Sequence, residues 1–207
     1  MKVEWVTVGP FQENSYLLSD PDSGHGVLVD PGDEALRIIR MVSEASVTPD
    51  AIWLTHGHLD HVGAITEIKN KWNVPVFLHP DDLPLYRRAS QQAEFYGFAL
   101  DQPSDPDREL ANGDRLTFGK TTFTVRHTPG HSPGHVVFLG DGVMLGGDLL
   151  FAGSIGRTDL PFSNPEKMQT SLGDVAKLDP DITVYPGHGP PTSIGAELST
   201  NPYLADL

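Results

Sequence analysis

At 207 residues, with 38% hydrophobic and 20% charged, the chain has the make-up of a soluble globular protein able to bury a substantial core in one domain. Its 28 acidic residues against 14 basic ones leave a formal charge of −14, which argues against broad binding to nucleic-acid phosphates or anionic membranes. The absence of cysteine removes disulfides, thiolate metal sites and cysteine nucleophiles from consideration. Neither a signal-peptide core nor an apolar span of about 18 residues occurs, so the expected location is the cytoplasm, away from membranes.

In chain order, Met1 to Val8 alternates like a strand and pairs by expectation with Ser15-Tyr16-Leu17-Leu18 across a turn at Gly9-Pro10. Val27 to Val29 is a third strand ending at Asp30-Pro31-Gly32-Asp33, after which Leu36, Ile39 and Val42 fit an amphipathic helix with Asp33 as its N-cap. Ala51 to Leu54 reads as a buried strand, and Val62, Ile65, Ile68 and Trp72 recur at helical spacing behind it. Val76 to His79 is the next strand. Strands alternating with helices favour a sheet with helices packed against it.

The pattern breaks from Pro80 to Asp107, where Leu83-Pro84-Leu85-Tyr86 and Ala93 to Phe98 are short apolar-aromatic pieces among polar residues and prolines. This stretch is either a surface insertion packing its own aromatics or a lid over a site, and periodicity does not decide between them. Strands resume at Arg115 to Phe118, Thr121 to Arg126, Val136 to Leu139 and Val143 to Leu145, separated by turn signals at Asn112-Gly113, Gly119-Lys120 and Asp141-Gly142. Pro165 to Leu178 reads as a helix with Asn164 and Pro165 at its Ncap and N1 positions, and Ile182 to Tyr185 is the last strand. Two such β-rich halves fit two sheets packed face to face between helices.

The densest chemistry lies between the Ala51 strand and the helix after it. Thr55-His56-Gly57-His58-Leu59-Asp60-His61 sets three imidazoles and a carboxylate within six positions. In a still extended backbone His56 and His58 project to one side and can bind one ion, while Asp60 and His61 follow where the chain turns, toward a second position nearby. Three further strand ends offer a ligand among glycines: His131 in Thr128-Pro129-Gly130-His131, Asp148 after Gly146-Gly147, and His188 in Pro186-Gly187-His188-Gly189.

Taken in order, His56-x-His58-x-Asp60-His61, His131, Asp148 and His188, with Asp30 before them, resemble the five-motif signature of metallo-β-lactamase-fold hydrolases over residues 3 to 190. The resemblance implies an αββα sandwich of mixed α and β structure, formed by residues 1–207 as one domain with an insertion or lid at about 80–107. Carried over by position, it implies one metal on His56, His58 and His131, another on Asp60, His61 and His188, and Asp148 bridging them. Zinc is the first expectation, with iron or manganese as alternatives. Asp30 would orient a ligand or the motif loop. Asp60 and Asp148 would act in catalysis through a hydroxide presented by the metals to an electrophilic carbonyl. His25, His79, His127 and His135 match no ligand position.

Within that family, Gly153-Ser154-Ile155-Gly156-Arg157-Thr158-Asp159-Leu160 is similar to the glyoxalase II loop, which implies a thioester such as S-lactoylglutathione as substrate and Arg157 as a contact to the glutathione moiety. Bracing of the loop by an Arg157–Asp159 pair is the alternative. The chain stops about 19 residues after His188, short of the helical domain of the full-length enzyme, and so resembles the short bacterial branch. A persulfide dioxygenase of the same fold, using one iron, also carries Gly-Arg-Thr-Asp and is the rival reading, with lactonase or other ester hydrolysis behind it.

Overall fold

The computed structural model describes residues 1–205. A first six-stranded sheet runs in chain order: β1 (Lys2–Val8), β2 (Glu13–Ser19), β3 (His25–Val29), β4 (Thr48–Trp53), β5 (Val76–Leu78) and β6 (Arg108–Glu109). β1, β2 and β3 pair antiparallel, and β3 to β6 pair parallel. The parallel steps need crossovers, which α1 (Ala35–Glu44), α2 (Leu59–Val62) and α3 (Ile65–Trp72) supply. The 80–107 segment leaves the sheet and returns as a 3₁₀ turn (Pro80–Asp82), α4 (Leu83–Tyr86) and α5 (Ala89–Phe95).

The second sheet is built from β7 (Arg115–Phe118), β8 (Thr121–His127), β9 (Val136–Gly140) and β10 (Val143–Gly147) as an antiparallel meander. After a small hairpin of β11 (Leu150–Phe151) and β12 (Ser154–Ile155), α6 (Pro165–Val175) crosses over to β13 (Thr183–Pro186), which lies parallel to β10. β14 (Thr192–Ser193) and α7 (Ile194–Thr200) complete the sheet and its cover.

Strand alternation sorts the side chains into three apolar layers, as a four-layer αββα sandwich requires. Tyr16, Leu18, Val27, Val29 and Trp53 meet Phe118, Phe123, Phe138 and Leu145 between the sheets, with the Trp53 ring 5.3–5.9 Å from the three phenylalanines. The opposite residues of the first sheet, Leu17, Leu28, Ile52 and Leu54, pack on Ile38 and Val42 of α1 and Ile65 and Ile68 of α3. Val137, Met144 and Val184 of the second sheet pack on Met168, Leu172 and Val175 of α6 and Ile194 of α7. No helix among the described residues is long and apolar enough to cross a membrane.

Several boundaries differ from expectation, each for a local reason. Asp33 does not cap α1: its carboxylate accepts from the Glu34 N–H at 2.6 Å, and Glu34 stands at the N-cap in a left-handed conformation with no side-chain cap bond. Leu36 faces solvent, so the apolar stripe of α1 is carried by Ile38 and Val42. The helix after the histidine loop is split in two at Gly63-Ala64, because the Ala64 N–H donates to Pro31 O and the Asp30-Pro31-Gly32 turn packs so closely on Gly63 that a Cβ there would overlap Gly32 O. Asn164 does cap α6, accepting from the Lys167 N–H at 2.9 Å, but α6 ends at Val175, three residues short of Leu178. β6, β11, β12, β14 and α7 were not legible in advance. For α7 the signal was Ser193, which accepts from the Ala196 N–H at 3.1 Å.

Candidate metal centre

β3, β4, β8, β10 and β13 all end at one edge of the sandwich, so Asp30, His56, His131, Asp148 and His188 arrive there from strand ends that the sheets hold rigidly. Bonds between the two sheets pin this edge. The Asn14 N–H donates to Gly187 O at 2.8 Å, the Tyr16 hydroxyl to Pro186 O at 2.6 Å, and the Val136 N–H to Thr55 O at 2.8 Å.

The predicted ligands form two adjoining groups that could each hold a metal ion: His56, His58 and His131, and Asp60, His61 and His188. His58 Nδ1 and His131 Nε2 lie 2.9 Å apart. Asp148 sits between the groups, with Oδ1 3.5 Å from His61 Nε2 and Oδ2 3.4 Å from His131 Nε2 and 3.5 Å from His188 Nε2. Asp60 Oδ2 is 3.4 Å from His188 Nε2. His56 Nε2, His61 Nε2 and Asp148 Oδ1 are buried with no hydrogen-bond partner. Buried polar atoms are rarely left so, and unpaired lone pairs converging from imidazoles and a carboxylate are the donor set a divalent cation satisfies.

The far side of each ring is held in turn. The His61 Nδ1–H donates to Asp30 Oδ2 at 3.0 Å, the His131 Nδ1–H to Arg157 O at 2.9 Å and the His188 Nδ1–H to Phe11 O at 3.1 Å; these acceptors fix the tautomer and aim Nε2 inward. Asp30 also accepts from the Thr55 N–H at 2.7 Å and the Thr55 hydroxyl at 2.6 Å, and Thr55 Oγ1 in turn meets His56 Nδ1 at 3.0 Å. One buried carboxylate therefore orients ligands of both groups. Asp30 reaches this position through a left-handed backbone, φ 49°. Gly156 lets the loop after β12 pass close by, since a Cβ there would overlap Asp148 O.

Two buried residues central to this arrangement carried no role in the sequence reading. Asp82, at the root of the insertion, accepts from the Gly57 N–H at 2.9 Å, the Ser132 hydroxyl at 2.7 Å and the Gly134 N–H at 2.5 Å, and so ties the His56 loop to the His131 loop. His135 accepts from the Asp148 N–H at Nε2, 3.0 Å, which commits the lone pair that would otherwise face the centre. His79 and His127 stack in parallel at 4.1 Å. With Asp81 they form a further cluster of donor atoms, but parallel rings do not converge on one ion. His25 is exposed and meets Asp50 at 2.7 Å.

The electrostatics match a place prepared for cations. Burial, and then His61 and His58, hold the His56 imidazole well below its ordinary pKa, and burial followed by His131 pushes His58 down to about 3. Burial also pulls His61 down, but Asp148, Asp60 and Asp30 outweigh it and push it up to about 9. Burial raises Asp60, and His61, His188 and His58 overcome that to hold it well below the usual carboxylate range. In metal-free protein, His56 and His58 stay neutral when folded, while their unfolded counterparts take up protons below about pH 6.5. The stability they contribute is present above pH about 6.5 and is lost as pH falls toward 3; that of His61 is present at low pH and lost as pH rises through about 9. Burial also holds His135 low, with the same sign, while burial and then Asp30 raise Glu13, whose opposite contribution Glu13→Gln removes. Metal-free Glu13→Gln protein is expected to lose stability to denaturant from pH 7 to pH 5, and a flat profile would contradict neutral burial of these histidines.

The centre opens into a cleft of about 660 Å³ in which His58, Asp60, His131, Asp148 and His188 face an apolar wall of Phe11, Phe95, Tyr96, Phe151 and Phe162. The insertion supplies one side of this wall. Its Tyr96 and Phe98 rings pack edge-on against Phe11 at 5.2 and 5.8 Å, and Gln92 Oε1 accepts from the Leu59 N–H at 3.2 Å. Arg157 also lines the cleft, its guanidinium paired with Asp159 through two bonds of 2.9 Å.

Two sheets whose strand ends gather histidines and aspartates around buried, unpartnered donor atoms define a metal-dependent hydrolase fold. The profile of the Metallo-beta-lactamase superfamily matches residues 8–188, and the chain belongs to that family. It is 38% identical to the probable metallo-hydrolase YqgX of Bacillus subtilis, over 99% of this chain and 98% of that protein. It is 36% identical to the hydroxyacylglutathione hydrolase GloC of Haemophilus influenzae, again over 99% and 98%. Among solved structures, TTHA1623 in a di-iron-bound form superposes with a TM-score of 0.91 at 46% identity, covering 97% of this chain and 100% of that one. The BLEG-1 B3 metallo-beta-lactamase gives 0.90 at 35%, covering 98% and 99%, and ETHE1 from Myxococcus xanthus 0.83 at 26%, covering 100% and 85%.

Proposed function

We propose that the chain hydrolyses an acyl thioester, of which S-lactoylglutathione is the type, with His56, His58 and His131 holding one divalent cation and Asp60, His61 and His188 another. Asp148, whose carboxylate lies between the two ligand groups, would serve both. The observation that carries this reading is the set of buried, unpartnered atoms His56 Nε2, His61 Nε2 and Asp148 Oδ1 beside an aromatic cleft that His58, Asp60, His131, Asp148 and His188 line. Cations seated there supply Lewis acidity toward a carbonyl oxygen and lower the pKa of water.

The chain's own residues do the remaining work. Asp30, Arg157 O and Phe11 O keep three imidazoles aimed inward, so the ligand set is formed before a substrate arrives. Asp60, committed to its histidine neighbours, acts as a ligand before any role as a base. No serine or cysteine nucleophile is needed. A thiol of pKa about 8.5 leaves as thiolate, so no strong general acid is required either. The 80–107 insertion lines one side of the cleft with Phe95 and Tyr96, which supports the lid reading over a surface insertion packing only its own aromatics. Likeness to GloC of H. influenzae supports the thioester class.

A second reading has a specific observation behind it. Gly156-Arg157-Thr158-Asp159 and the likeness to ETHE1 fit a persulfide dioxygenase of the same fold, and the di-iron neighbour keeps iron in contention with zinc. Hydrolysis of S-lactoylglutathione by metal-quantified protein, run beside glutathione persulfide in an oxygen electrode, separates them. Thioester cleavage without oxygen uptake is expected. Oxygen uptake on iron-loaded protein without thioester cleavage overturns the hydrolase reading.

A further inference from the structure

The insertion turns one helical face toward the metal centre. Arg88, Gln91, Gln92 and Phe95, spaced as neighbours on α5 and its N-terminal edge, line the same cleft as His58, Asp60, Asp148 and His188. That face is held in place. Gln92 donates to Leu85 O at 2.9 Å while accepting from the motif loop at Leu59, so Arg88 is presented from a segment tied directly to the predicted ligands.

The two cations of the cleft differ in what they have left to offer. Arg157 already spends its fork on Asp159, and a neutralised pair presents little field to an incoming anion. Arg37, Arg40 and Arg87 are likewise paired with carboxylates; Arg88, Arg108, Arg115 and Arg126 have no carboxylate partner among the described residues, and of these four Arg88 lines the cleft. Its exposed guanidinium lies 5.7 Å from the centroid of the Phe162 ring, also in the cleft lining, a contact that leaves its hydrogen-bond donors free. In a chain of formal charge −14, an unneutralised guanidinium beside an apolar wall is a recognition element for a negative group.

We propose that Arg88, reaching from the insertion, anchors the anionic end of the substrate, so that the preferred class is a thioester whose thiol half ends in a carboxylate while its acyl half lies against the aromatic wall. Arg157 braces the loop that holds His131. The thioester part of this rests on the function proposed above; the anion site does not.

The test uses metal-loaded protein and two thioesters of the same acyl group, one on 3-mercaptopropionate and one, neutral, on N-acetylcysteamine. Arg88→Ala is expected to lower the anionic-to-neutral ratio of kcat/KM about five- to tenfold, chiefly through KM, as loss of a charge-assisted contact implies. Arg88→Lys should restore most of the ratio, and Arg157→Ala should leave it near the wild-type value. An unchanged ratio in Arg88→Ala, or a collapse of the ratio in Arg157→Ala, overturns the assignment. Calorimetric binding of 3-phenylpropane-1-sulfonate, a weak metal ligand, reads the anion site without turnover. Binding about five- to tenfold weaker in Arg88→Ala supports it even if neither thioester is cleaved, and equal binding in the two proteins removes it even if thioesters are cleaved.

Discussion

Replacing Asp148 by alanine is expected to lower kcat/KM by about a thousandfold or more and to cut the metal content by at least half. The Asp148 carboxylate reaches both ligand groups, with Oδ1 toward His61 and Oδ2 toward both His131 and His188. Alanine leaves the three imidazoles with no shared anion between two positive sites. The backbone should survive, because Asp148 is placed by its N–H, which donates to His135, and not by its carboxylate. Elemental analysis beside turnover and a circular dichroism spectrum checks this. Near-normal activity at normal metal stoichiometry would sink the paired-cation arrangement.

Asp82→Ala should act differently, on stability first and on the centre second. The variant strands three donors, Gly57 N–H, Ser132 Oγ–H and Gly134 N–H, in a fully buried place. Unsatisfied buried donors of this kind cost about 1–3 kcal/mol each, and water entering the space recovers part of it, so a net loss of about 3 kcal/mol is expected. For a chain of this length that lowers the midpoint by roughly 6–12 °C. Because Gly57 lies between His56 and His58 and Ser132 follows His131, metal affinity should fall as well, by about ten- to a hundredfold. Asp82→Asn keeps one carbonyl acceptor and should lose about half as much stability. A midpoint within about 2 °C of wild type in Asp82→Ala would show that the three bonds are not holding the loops.

How far the sequence could be read depended on where the information sits. The strands were legible because period-two alternation separates Val137 and Met144 from Phe138 and Leu145, the very residues that divide between outer and inner layers. The histidine loop was legible by density alone. The cap of α1 was not, because Asp33 bonds the next residue and the left-handed turn falls on Glu34, a residue type with no preference for it. Nor could a sequence reveal that Phe11 and Arg157 orient ligands, since they do so with main-chain carbonyls that every residue carries. Asp82, His135 and Arg88 were missed because each acts through a neighbour brought in by tertiary structure, in a stretch or position where no periodicity announces it.

The proposed ligand set is divided between the two halves of the chain: His56, His58, Asp60 and His61 come from the first sheet's loops and His131, Asp148 and His188 from the second's. Neither half carries all three residues of either proposed ligand group. A cation bound at this edge is thus a removable clasp across a long chain closure, with His58 and His131 73 residues apart. Its grip grows with the free ion, by about 2.7 kcal/mol when the ion is at a hundred times its dissociation constant. With ions seated as proposed, the stability of the fold would rise and fall with metal supply, so depletion of the ion would loosen the molecule as well as silence it.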